Sequence, residues 1–365
     1  MSRGTIAWIN LQALAHNLHV IRKKVPHAKI LAMVKCNAYG HGAVECAKTL
    51  KEADALGVAC LKEALELREA GIEQPLVLMA GLMDEDELPA FLHHRLQAVL
   101  HHPTQLEWLS RAKLTQPLTV WIKVDSGMHR LGFPLSRLPD VMQSLQKMPS
   151  VHVAGWINHL ACADNRDDTL TQEQCIRFRE AVVHWPGARS VGNSAAIFNY
   201  PELIQHDEWI RPGLSLYGIS PIKDRIGLEL ELQPVMTLQA KLIAIREVEP
   251  GERVGYGGEP VGNHPTLIGT LSIGYGDGYP RHLPSGSPVF IRGQRVPLIG
   301  RVSMDMIGVD LNTVPQARVG DVAILWGAPL PIETIAENAH TIPNELICHI
   351  HPRVERRFVM ESFVI

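Results

Sequence analysis

The chain has 365 residues, of which 46% are hydrophobic and 20% charged, with a formal net charge of -3. That length exceeds one ordinary core and implies two domains, while the near-balanced charge excludes nucleic acid or an anionic membrane as partner and leaves a small, roughly neutral molecule. No apolar run reaches the length of a membrane span and the start lacks a signal-peptide core, so a cytoplasmic location is expected.

Asn10 reads as an N-cap, after which Leu11, Leu14, Leu18, Ile21 and Val25 recur at helical spacing until Pro26. KILAMV then reads as a short buried strand. Similar strands return in ALGVAC, PLVLMA, LQAVL, LTVWIKVD, VHVAGWI, RSVG and DEWIR, with helical stretches between them, one opening at Thr171 with a TxxQ capping box. Apolar strands alternating with helices imply a parallel sheet covered on both faces, and about eight of them predict an α/β fold whose residues 1–235 form a (β/α)8 TIM-type barrel. A doubly wound open sheet is the alternative. No Gly-rich dinucleotide fingerprint follows the first strand, however, and GYGDGYP ends in proline instead of opening a helix. Across 236–365 the pattern becomes VMTLQAKLIAIREV, LIGTLSI, SPVFIRGQRVPLIG and VAILWG, a mainly antiparallel β domain with short helical stretches around IETIAENAH and NELICHI.

Six cysteines (Cys36, Cys46, Cys60, Cys162, Cys175, Cys348) stand without a CxxC pair and are expected to be reduced and mostly buried. The histidines, His94, His101 and His102 among them, lack HExxH or Cys/His ligand spacing, so no metal centre is expected.

Chemistry concentrates where the first barrel strand runs out, in LAMVKCNAYGHG. Lys35 lies at the carboxyl end of that strand, on the face where barrel active sites form. Apolar neighbours would lower its pKa and free the amine as a nucleophile or base; the plain alternative is a lysine snorkelling to water. In SVGNSAAIFN, Gly192 and Asn193 lead to Ser194, read as an N-cap whose hydroxyl and nearby amides could hold a phosphate, or as an ordinary cap. RPGLSLYG supplies a second turn after the eighth strand, with the amides of Gly213 and Leu214 facing the same anion. A phosphate grip opposite a strand-one lysine points to pyridoxal phosphate (PLP) held as a Schiff base.

In order and spacing, VKCNAYGHG, VDSGMHRLG, NHLACAD, NSAA, RPGLSLYG, GYGDGYPR and GRVSMD resemble the motifs of the alanine racemases, over nearly the whole chain. The resemblance implies a PLP enzyme that interconverts L- and D-alanine, for peptidoglycan synthesis or alanine catabolism, as a homodimer whose subunits complete each other's sites. On it, Lys35 falls on the PLP lysine. Tyr39, Asn193, Ser194, Gly213 and Leu214 fall at cofactor-binding positions, and His159 on a histidine packed against the ring. Arg211 faces the pyridine nitrogen, where a group that only donates keeps that nitrogen unprotonated and weakens the electron sink. Inversion needs proton removal on one face and delivery on the other, so a second base is required. Tyr256, in RVGYGGE, falls on that base, supplied across the dimer interface, with His159, Arg211 and Arg281 as a supporting relay. Arg130 and the Met304 amide fall on the substrate carboxylate site, with Asp305 in the same GRVSMD motif, and Tyr275 on a tyrosine at the site entrance.

Lys123 is unusual without any family. It interrupts an apolar strand on the same face as Trp121 and Asp125, where a lysine must pair or lose its charge. One reading pairs it with Asp125; the resemblance adds another, carbamylation by carbon dioxide to hold Arg130. Cys36, Asn344 and Pro352 depart from residues common in the family, and loss of the tyrosine at 352 would loosen the phosphate grip. Two rival classes are a PLP-carrying binding protein, which would need neither Tyr256 nor a β domain, and a decarboxylase with a catalytic cysteine there. Cys348 is the one cysteine of the β domain, and it is expected far from the site.

Overall fold

The computed structural model describes residues 3–360. Eight parallel strands form the first unit: Lys29–Met33, Ala55–Val58, Leu76–Leu78, Leu96–Leu100, Leu118–Asp125, Val151–Ile157, Ala188–Ser190 and Trp209–Ile210. The first seven pair in that order, a short parallel strand Phe133–Pro134 also joins the fifth, and Trp209 and Ile210 return to Lys29 and Ile30. The last seam, between the seventh and eighth strands, closes through a parallel bridge of Asn193 with Arg211 and the Arg211 N–H donating to Gly192 O at 2.7 Å. This is the expected barrel.

Alternation along the strands decides which residues fill it. Leu31, Met33, Ala55, Val77, Val99, Trp121 and Ile157 form the inner cluster, while a larger apolar cluster joins the outer faces to the helices. Both faces of each strand are thereby dry, which is why the strands read as continuous apolar runs. Trp121 fits inside because Gly155 has no side chain: a Cβ there would stand 2.8 Å from the indole. Lys123, two residues on, shares the inward face and is 8% exposed.

One local expectation changes. The helix read as opening at Thr171 begins at Leu170, whose N–H donates to Asp168 Oδ1 at 2.8 Å, so Thr171 lies inside it, fully buried. Ile6–Asn10 is a strand that pairs antiparallel with Met236–Val248 and parallel with Glu355–Val359, before Asn10 caps the helix Leu11–Lys24 through Ala13 N–H. The antiparallel sheet thus takes strands from both ends of the chain, and it mixes hairpins such as Pro288–Ile291 with Gln294–Ile299 and long-range pairings such as Met236–Val248 with Val322–Trp326. The short helices Ile332–Asn338 and Pro343–Cys348 follow.

Candidate active site

The carboxyl ends of the barrel strands surround a cavity of about 450 Å³, a usual size for a small-molecule site. Lys35, Tyr39, Lys123, Arg130, His159, Asn193, Ser194, Arg211, Gly213 and Leu214 all line it. Among the described residues its charged lining is entirely basic: Lys35, Lys123, Arg130 and Arg211, with no carboxylate. Such a cavity suits anions.

Lys35 is placed by a strained turn. The first barrel strand ends at Met33, and Cys36, Asn37, Ala38 and Tyr39 then take φ of 53°, 52°, 52° and 51°, four successive left-handed residues without a glycine. Each costs about 1–2 kcal/mol, so the turn must be held from outside. Gly40 O accepts from Arg356 Nε at 2.7 Å, and Gly40 itself, at φ 80°, lies where a Cβ would overlap Ile347 O. The result brings Lys35 and Tyr39 to one cavity. Burial, then the Arg130 charge, lowers the Lys35 pKa, with Glu63 opposing.

A cradle for an anion forms beside it. Asn193, not Ser194, caps the helix Ser194–Asn199, accepting from Ala196 N–H at 3.0 Å; Ser194 is its first residue. Its hydroxyl is thereby free of capping and accepts from Gly213 N–H at 2.8 Å, with Ser215 Oγ 3.1 Å away. The Tyr39 hydroxyl packs so closely on Gly213 that any Cβ would overlap it. Two hydroxyls and a backbone amide therefore converge at the loops after strands seven and eight, the recurrent phosphate position of barrels.

Arg211 is fixed as a donor. Nη1 donates to Ser190 O at 2.7 Å and Nη2 to Asn158 O at 2.6 Å, and burial pulls its pKa down only to about 10, which leaves it charged at neutral pH. His159 is the opposite case: burial, then Arg211 and Lys123, push it to about 2, so the imidazole is a neutral, flat surface. Burial, then Arg211 and Arg130, brings Lys123 to about 7. The alternative partner, Asp125, favours the ammonium only through its charge and forms no ion pair or hydrogen bond with it. That carboxylate accepts from the N–H groups of Gly127 and His129 at 3.1 and 3.0 Å and contacts His129 Nδ1 at 3.0 Å.

The remaining candidates lie elsewhere in this chain. Tyr256 is 71% exposed between the short strands Arg253–Val254 and Glu259–Pro260. Tyr275 and Met304 are exposed on adjoining loops, joined by the Tyr275 N–H donating to Ser303 O at 3.0 Å and the Gly276 N–H to Met304 O at 2.9 Å. Asp305 Oδ1 accepts from Arg353 Nη2 at 2.9 Å, and Arg281 is exposed. None of these five lines the cavity.

Cys348 corrects an expectation. It ends the helix Pro343–Cys348, which packs on the Lys35 turn, and burial, then the neighbouring Cys36, pushes its thiol up to about 12. Sequence separation hid a neighbour in space. Nor are the thiols mostly buried: Cys46 and Cys175 are, Cys36 is exposed and the other three are half-buried, all of them free. Asn344 lines the cavity and Pro352 does not. Ala59, Met79 and Ala80 also line the cavity; they follow the second and third strands, and their place directly after a strand is the signal that marks them in the sequence.

The chain resembles known proteins over nearly its whole length. The alanine racemase N-terminal domain family matches residues 9–221 and the alanine racemase C-terminal domain family residues 235–358. The chain is 48% identical over 363 residues to an alanine racemase of Coxiella burnetii (strain RSA 331 / Henzerling II), covering 97% of this chain and 98% of that one. It is 43% identical over 357 residues to one of Vibrio cholerae serotype O1, covering 98% of each. The solved biosynthetic alanine racemase from Pseudomonas aeruginosa superposes with a TM-score of 0.94 at 42% identity, over 98% of this chain and all of that one. The barrel, the basic cavity at its carboxyl face, the antiparallel domain and these full-length matches together establish that the chain belongs to the alanine racemase family.

Proposed function

We propose that this alanine racemase works by a two-base mechanism on PLP held at Lys35, with the second base, Tyr256 of the partner subunit, reaching the opposite face of the substrate. The observation that carries the reading is the all-basic cavity at the end of the first barrel strand. It calls for anions, and its hydroxyl and amide cradle, closed to any Cβ at Gly213, fits a phosphate. Bound there, the cofactor supplies an electron sink that stabilises charge at the substrate α-carbon.

The chain's own groups supply the rest. Tyr39, Ser194, Gly213 and Leu214 would hold the phosphate, with Asn193 shaping the turn; His159 would offer its flat face to the ring, and Arg211 would serve as a donor to its nitrogen. Lys35, its pKa lowered, takes or gives the α-proton at Nζ on one side. Arg130 binds the substrate carboxylate, positioned by a carbamate on Lys123. With a pKa of about 7, that amine is neutral often enough to attack carbon dioxide, and the product anion would lie between Arg211 and Arg130.

Support for a homodimer comes from the antiparallel domain. Tyr256, Tyr275, Met304 and Met306 are all more than 40% exposed. Their loops adjoin, because a Cβ at Gly257 would meet the Arg301 guanidinium and Ser303 bonds Met306. Exposed apolar groups gathered this way mark an interaction surface. A second copy would bring Tyr256, the Met304 amide, Tyr275, Arg281 and Asp305 to the cavity. No helix among the described residues is long and apolar enough to cross a membrane. A cytoplasmic enzyme acting on free alanine, with no nucleic-acid or membrane partner, is the matching role, supplying D-alanine for peptidoglycan or serving alanine breakdown.

The deciding experiment incubates the purified protein with L-alanine and measures D-alanine formed and visible absorbance, beside Lys35→Ala. The variant is expected to lose both. Retention of either removes Lys35 from its role.

A further inference from the structure

We infer that Glu63 is a positioning residue for Lys35: its carboxylate pins the strained turn that carries the amine and sets the charge beside it. The inference rests on the Lys35 reading above and adds a residue outside the cavity. Glu63 is the third residue of the helix Leu61–Glu69. Its Oε2 accepts from Ala59 N–H at 2.7 Å, an ordinary use for glutamate at this position, which reaches back to an amide at the helix start. One oxygen would satisfy that use. The other, Oε1, crosses to the neighbouring strand end and accepts from Cys36 N–H at 2.7 Å.

Cys36 is the first left-handed residue after Lys35, so this bond acts where the chain leaves its strand and bends. Four left-handed residues would relax to right-handed or extended backbone unless neighbours over-determine them. Hydrogen bonds to an ionised acceptor are among the strongest available. Releasing the Cys36 amide would let the peptide after Lys35 rotate and swing Nζ away from the α-carbon. Because no carboxylate among the described residues lines the cavity, Glu63 is also the leading charge that favours the Lys35 ammonium against burial and Arg130.

Two variants of the holoenzyme separate positioning from mere helix capping. Glu63→Gln keeps one acceptor for the cap but turns an NH2 group toward the second amide. Glu63→Asp keeps the charge but is one methylene too short to reach both. In each, kcat is expected to fall at least tenfold in both directions with KM for alanine changed less than threefold, while the cofactor-free thermal midpoint moves by only a few degrees. In Glu63→Gln the pH midpoint for imine formation between pyridoxal and Lys35, measured on cofactor-free protein, is expected to shift down. A kcat within twofold of the parent in both variants, or a loss matched by the unfolded fraction, overturns the inference. Its failure is distinct from failure of the Lys35 reading, which would show in the parent as absorbance surviving Lys35→Ala.

Discussion

Carbon dioxide dependence gives the sharpest check on how the cavity grips a carboxylate. With its pKa at about 7, the Lys123 amine is roughly 10% neutral at pH 6 and roughly 90% neutral at pH 8. Only the neutral amine attacks carbon dioxide; a C–N bond forms, a proton leaves, and the product carries a negative charge. At a fixed carbon dioxide pressure, occupancy therefore rises with pH, and acid returns a cation that repels Arg130. Losing one charge-assisted hydrogen bond costs about 1.5–3 kcal/mol, or roughly ten- to hundredfold in affinity. KM for alanine at pH 8 should rise by about that factor when carbon dioxide is removed, with kcat less affected. Lys123→Met should show the high KM with or without the gas. Protein equilibrated with carbon-13-labelled carbon dioxide should give a bound carbamate resonance that fades as pH falls toward 6. An absent resonance at pH 8, together with a KM indifferent to the gas, refutes the reasoning.

Tyr256→Phe should leave cofactor absorbance intact while slowing racemisation in both directions by two or more orders of magnitude, with solvent-deuterium incorporation altered mainly for L-alanine; normal turnover would defeat the two-base scheme. Gly213→Ala forces its methyl onto the Tyr39 hydroxyl, an overpacking cost of about 1–3 kcal/mol. That cost should shrink in a Tyr39→Phe background, where the oxygen is gone, and strict additivity in denaturant melts would show that the two groups do not touch. Sedimentation should find a dimer, and Met304→Glu on the exposed face, where burial would desolvate the charge, should weaken it; a monomeric parent that is fully active argues against a shared site.

What the sequence by itself determined is local chemistry. Continuous apolar runs announced parallel strands because both of their faces are dry, and Asn10 announced a helix start because its side chain meets an amide three residues on. The likeness of seven ordered motifs carried the family and the residues around Lys35. Tertiary structure decided what depends on distance in space. Sequence could not show that Ile6–Asn10 joins the sheet of the far domain, since its partners begin more than 200 residues away. It placed Cys348 far from the site although its helix packs on the Lys35 turn, and one of its two readings of Lys123 used Asp125, a carboxylate that His129 and Gly127 hold. The left-handed turn after Lys35 was equally hidden. Its backbone runs against what Cys, Ala and Tyr prefer alone, and the groups that hold it, Glu63 and Arg356, come from other parts of the chain.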